Sequence, residues 1–229
     1  MIVQAQRGTV AAGQDQAVAA GAQIVLLAML DVGPAGWLAG IAYSAALWLT
    51  LGFALRRAGV FVLGPADRVT LARAALVGGV IALVVSGVDG PALVGLASVA
   101  LLLDAVDGQV ARRTGTVSAL GARFDMEVDA FLILVLSVHV AFSAGGWVLV
   151  IGAMRYAFVA AGWFASWLRA PLPPSYARKT VAAVQGIALV VAGVLPPAGA
   201  IAVSASALAA LVWSFGRDVL WLHYHRVSG

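Results

Sequence analysis

The sequence predicts an all-α integral membrane protein, and three observations carry that prediction. Of 229 residues, 62% are apolar and only 10% are charged, with a mean hydropathy of +1.00. Soluble domains carry about a quarter charged residues, and this much apolar surface exceeds what one globular core can bury. The apolar residues fall in runs close to the roughly 20 residues that a helix needs to cross a bilayer. Of the joints between those runs, only alternate ones carry Lys or Arg, as membrane topology requires.

Eight helices are expected, near 17–31, 35–55, 67–87, 91–112, 118–142, 146–168, 178–194 and 198–220. Pro34, Gly90-Pro91, Gly145-Gly146 and Pro196-Pro197 punctuate four of the joints, where helices stop and start. The first run is short for a spanning helix and is compatible with an interfacial one. Arg7 precedes it. Arg56, Arg57 and Arg68 lie between the second and third, Arg112 and Arg113 between the fourth and fifth, and Arg169, Arg178 and Lys179 between the sixth and seventh. Arg226 follows the eighth. The joints around Asp31, Asp89, Gly145 and Pro196 carry no Lys or Arg, so both termini and the 113–117 loop are expected to face the cytoplasm.

Other classes are set aside by composition. There is no cysteine, which excludes a disulfide framework and a thiolate metal site. The net charge of +4 is dispersed between apolar runs, so nucleic acid is not an expected partner. Residues 1–16 are polar and rich in Gly and Ala, without the order of a cleaved signal peptide, so the chain is expected to be kept whole. His139 stands alone on an apolar helix and His223 and His225 lie in the tail, so no histidine-based site is visible. The seven Trp residues mostly lie near helix ends, as interfacial anchors do.

Ionisable residues inside membrane helices are costly and default to functional hypotheses. They cluster in DAVDGQVARRTGTVSALGARFDMEVD, from Asp104 to Asp129. Asp104, Asp107, Gly108, Ala111 and Arg112 share one helical face, within an arc of about 140°. Gly121, Asp125 and Asp129, four apart, stack along one face of the next helix. The short loop makes the two helices antiparallel neighbours, so four carboxylates converge near the cytoplasmic side. Such a set stays ionised only with compensating positive charge, which hard divalent cations supply, Mg²⁺ in particular binding through a few carboxylates and substrate phosphates. A pyrophosphate-containing substrate follows. Gly108, Ala111 and Gly121 remove bulk where a ligand approaches the backbone, and Arg112 offers a bidentate phosphate contact. The blander readings are a solvated or capping Asp, and small residues that serve helix packing.

The segment resembles the signature of the CDP-alcohol phosphotransferase family, D-x-x-D-G-x-x-A-R, eight residues, then G-x-x-x-D-x-x-x-D. Asp104, Asp107, Gly108, Ala111, Arg112, Gly121, Asp125 and Asp129 fill every fixed position. The resemblance covers about residues 65–220 and implies a six-helix transmembrane catalytic core, 65–229, preceded by a 1–64 extension of two hydrophobic helices. It implies transfer of a substituted phosphate from a CDP-linked lipid or alcohol to an acceptor hydroxyl, with CMP leaving, in phospholipid biosynthesis. Asp104, Asp107, Asp125 and Asp129 would ligate divalent cations, Mg²⁺ or Mn²⁺, two per site. Asp129 would also be the general base, orienting the hydroxyl and accepting its proton late. A homodimer in a bacterial cytoplasmic membrane is implied as well.

Further positions follow from the same resemblance. In PADRVTLAR, Pro65 to Arg73, Asp67 and Thr70 match a segment that helps hold the cytidine nucleotide; helix capping by Asp67 is the plainer use. Arg155, Lys179 and Arg217 correspond to basic residues that bind an acceptor's phosphate in phosphatidylinositol-phosphate and phosphatidylglycerol-phosphate synthases. Lys179 alone also reads as a snorkelling interface residue. The competing reading from another class is a cation transporter, which predicts carboxylates at the midplane and discontinuous helices. A catalytically dead homologue is disfavoured by the four Asp residues.

Overall fold

The computed structural model describes residues 17–58, 64–114, 118–170, 172–173 and 175–225. The polar N-terminal stretch with Arg7, loop residues 115–117 and Arg226 lie outside the described residues, as do the side chains of Asp107, Gly108, Ala111 and Arg112 on their helix. All the regular structure described is helical. The helices are α1 (Ala17–Met29), α2 (Pro34–Ala58), α3 (Pro65–Val85), α4 (Pro91–Thr114), α5 (Ala119–Ala144), α6 (Leu149–Phe164), α7 (Tyr176–Ala192) and α8 (Pro197–His225). Each expected helix overlaps one observed α-helix. Gly90 (φ 113°) and Gly145 (φ 102°) open the joints before α4 and α6 in a backbone region closed to most side chains.

Among the described residues, five helices are long and apolar enough to cross a membrane: α2, α3, α5, α8 and the run Gly146–Phe164 that contains α6. The other three fall short for different reasons. The 13 described residues of α1 measure about 20 Å, against a hydrocarbon core of about 30 Å. Only Pro91–Asp104 of α4 is apolar, because its C-terminal half carries Asp107, Arg112 and Arg113. Helix α7 has 17 residues, with Arg178 and Lys179 in its first turn. The expected sixth helix, 146–168, is divided: a 3-10 turn at Gly146–Val148, then α6, then a second 3-10 turn at Ser166–Arg169. Ala165 breaks it with a non-helical backbone (φ −121°, ψ 89°).

The chain forms two compact units, Met1–Asp129 and Ala130–Gly229. In the first, α3 is the core: 61% of its apolar window is buried, against 17% for α2. Gly78 and Gly79 let neighbours approach it. A Cβ at Gly79 would come within 2.9 Å of Leu26 Cδ2, and one at Gly78 would strike the Gln23 amide. Gln23 is itself buried and donates to the Gly40 carbonyl of α2 at 3.4 Å, which fixes α1 between α2 and α3. At the other end of the helices, Leu51 and Leu55 meet Leu71, with Trp48, Leu120 and Phe124 packed around them.

In the second unit, Gly152 of α6 lies against α5, where a Cβ would approach Leu134 Cα to 2.5 Å and Ser137 Oγ to 2.9 Å. Such small-residue contacts are how membrane helices pack without a hydrophobic driving force between them. The buried face of α8 runs Ala200, Ser204, Ala207, Leu211, Ser214, Asp218 and Leu222, a 3–4 spacing that includes one carboxylate. Outward-facing Leu49, Phe53, Phe142, Trp163 and Phe164 are all more than 60% exposed, which suits lipid contact and not water.

Candidate active site

Three helices of the first unit bring the site together. Asp104 lies on α4, Asp125 and Asp129 lie one turn apart on α5, and one carboxylate oxygen from each falls within 4.8 Å of the others. Beneath them is a residue to which the sequence reading gave no role. Arg73 of α3 is fully buried; its Nη1 pairs with Asp104, and its Nη2 with the Asp125 carboxylate. Nη2 also donates to the Asp125 carbonyl at 3.0 Å, and Nη1 lies 3.4 Å from Asp129. One planar fork thus ties two helices to a third. The signal was present in the sequence: Arg73 follows Asp67 and Thr70 at helical spacing inside an apolar helix, where a cation needs a partner.

The geometry fits a hard cation. All three ligand groups are oxygens, and each side chain is a third or more exposed (38% for Asp104, 34% for Asp125, 38% for Asp129) while Arg73 below them is at 0%. The cluster is therefore closed on the Arg73 side and open on the other, where a divalent ion and the phosphates that complete its shell would enter. Helices α4 and α5 run unbroken through the three Asp positions, unlike the discontinuous helices of an ion-transport site. Asp107 and Arg112 sit on α4, but their side chains are outside those described, so the structure brings together three of the four expected carboxylates.

Gly121 lets the start of α5 approach the start of α3. A Cβ there would collide with the Asp67 carboxylate and come within 2.9 Å of Ser118 Oγ. Asp67 Oδ2 accepts the Gly64 N–H at 2.9 Å, the return half of a capping box at the start of α3. Thr70 is buried, and its hydroxyl donates to the Ala66 carbonyl at 3.2 Å. The plainer capping reading of Asp67 thus holds, and its second oxygen faces Gly121.

The expected acceptor residues lie in the second unit. Arg217 Nη2 and Ser175 Oγ are 2.9 Å apart, which brings the end of α8 to the N-cap of α7. Its guanidinium lies over the Trp213 ring, 5.1 Å from the centroid. Buried Asp218, also unassigned in the sequence, receives Arg178 Nη1 at 3.1 Å on one oxygen and has Arg217 Nη2 at 3.6 Å on the other. Lys179 is exposed in the first turn of α7. Arg155 is half-buried on α6, one turn before Phe158. Phe158 meets Phe215 of α8 edge-on at 5.4 Å, so Arg155 shares the α6 face that packs on α8.

Fold and cluster together define a polytopic membrane protein with a carboxylate site suited to phosphate chemistry. The family model of CDP-alcohol phosphatidyltransferase matches residues 63–215, about two thirds of the chain. The chain belongs to that family, whose members are membrane transferases of substituted phosphate groups acting on CDP-alcohol donors and alcohol acceptors. No curated protein and no solved structure matches it.

Proposed function

We propose that this enzyme transfers a phosphatidyl group from a CDP-linked lipid, such as CDP-diacylglycerol, to a hydroxyl of a polar, phosphorylated alcohol, releasing CMP. The observation that carries the reading is the convergence of Asp104, Asp125 and Asp129, open on one side and closed by Arg73 on the other. Asp107 completes the ligand set in this proposal. Bound divalent cations, Mg²⁺ or Mn²⁺ at two per site, would polarise the phosphoryl oxygens and stabilise leaving CMP. The chain's own residues do the rest. Asp129 orients the acceptor hydroxyl and takes its proton as the new oxygen–phosphorus bond forms and the bond to CMP breaks. Asp67, Thr70, Gly108, Ala111, Arg112 and Gly121 hold the cytidine diphosphate, Arg112 by a charged fork on phosphate. Arg155, Lys179 and Arg217 hold the acceptor's phosphate.

The catalytic domain in this reading is 65–229, with 1–64 as an extension, in a homodimer. The alternation of Lys and Arg supports a site and both termini on the cytoplasmic face.

The test is CMP release from CDP-diacylglycerol by the purified chain, with glycerol-3-phosphate, inositol phosphate, inositol and serine as acceptors. A phosphorylated acceptor should be used, EDTA should stop the reaction, and Mg²⁺ should restore it. Metal-independent release, or no release with any acceptor, would remove the proposal. Arg155→Ala should raise the acceptor KM about tenfold or more with kcat little changed, as loss of a charged hydrogen bond implies. An unchanged KM takes Arg155 out of the acceptor site.

A further inference from the structure

We infer that Arg73 is the fixed counter-cation of the carboxylate cluster: it holds Asp104 and Asp125 together when no metal is bound, and it sets how weakly the cluster binds a divalent ion. Arg73 comes from α3 and meets carboxylates 31 and 52 residues away in the chain. Its guanidinium has no water contact, so its charge is balanced by those carboxylates and not by solvent. Conversely, Asp104, Asp125 and Asp129 would repel one another without it. The three carboxylates outnumber the one guanidinium, so the described cluster stays net negative and open to a divalent cation.

Two roles are separable here. If Arg73 only positions the ligands, its loss disorders them and weakens metal binding. If it is a counter-cation, its loss leaves a more negative cluster, and an incoming divalent ion binds more tightly. Asp104 and Asp125 are anchored on packed helices of the same unit, beside buried Ala100 and Val128, so their backbones keep their places without the fork. The charge effect therefore dominates. This inference rests on the proposed cation site, but its stability arm does not.

Mn²⁺ binding to the full chain in detergent, followed by the loss of the free-ion EPR signal, reads the first arm. Arg73→Gln should tighten Mn²⁺ binding about tenfold, the scale of removing one positive charge a few ångströms from the ion. Arg73→Lys, which keeps the charge and loses the fork, should stay within about threefold of wild type. Unchanged or weaker binding by Arg73→Gln overturns the inference. In the second arm, metal-free Arg73→Gln should melt at least about 5 °C below wild type, and adding Asp125→Asn should recover half of that loss or more. A further drop on adding Asp125→Asn also overturns it. Should Arg73→Gln not give a monodisperse protein, the double variant decides: it folds if charge is the cause and fails if the fork's hydrogen bonds are. Wild type that binds no Mn²⁺ would sink the cation site of the proposed function, and the melting pair would still judge Arg73.

Discussion

Asp129→Asn should cut kcat for CMP release by about 10³-fold, within the range for loss of a general base, while leaving the fold intact. The asymmetry comes from Arg73. Asp104 and Asp125 are paired directly with the guanidinium, whereas Asp129 stands 3.4 Å off it and contributes least to holding it. Asparagine has the same shape and keeps an oxygen facing the cluster, so Arg73 retains both of its close partners. Asp125→Asn is the informative comparison, because it removes a close ion pair together with a proposed ligand. It should lose both activity and stability. Measured side by side, melting temperature separates the two: within about 2 °C of wild type for Asp129→Asn, and clearly lower for Asp125→Asn. A kcat within tenfold of wild type for Asp129→Asn would end its assignment as the base.

The helices were legible in the sequence because a bilayer makes two demands that one chain displays openly, an apolar length and a satisfied backbone. Pro34, Gly90-Pro91, Gly145-Gly146 and Pro196-Pro197 then marked the joints. Where expectation and structure part, the cause is local. Helix α8 runs on to His225, beyond the expected 220, where Trp167 packs edge-on against His223 at 5.7 Å and Trp221 stacks on His225 at 4.0 Å. The break at Ala165 has no Pro to announce it, and Gly162, three residues earlier, still lies within α6. The Asp cluster was legible because its spacing is helical and its charge is expensive. Its partner was not, because pairing Arg73 with Asp104 and Asp125 depends on how three helices stand together. The same limit hid Asp218, adjacent to Arg217 in sequence but paired across space with Arg178.

Asp218→Ala should be the most damaging single change in the second unit. The residue is only 8% exposed, yet it faces two guanidinium groups, and each of them has a second tie. Arg178 Nη2 donates to the Pro173 carbonyl at 2.8 Å, and Arg217 reaches Ser175 at 2.9 Å. The carboxylate thus anchors the entry to α7 against α8. Removing one partner of a buried pair leaves charge uncompensated and costs about 3–5 kcal/mol, but Arg178 and Arg217 are a third or more exposed and recover part of that in solvent. A loss of about 2 kcal/mol remains, or a melting temperature lower by roughly 4–8 °C for a chain of this length. Arg178→Ala should cost about the same, and the double variant should cost less than the two together, because the second change removes the charge that the first stranded. Additive losses would mean that the pair is not coupled, and that Asp218 is held at the α7 entrance for some reason other than Arg178.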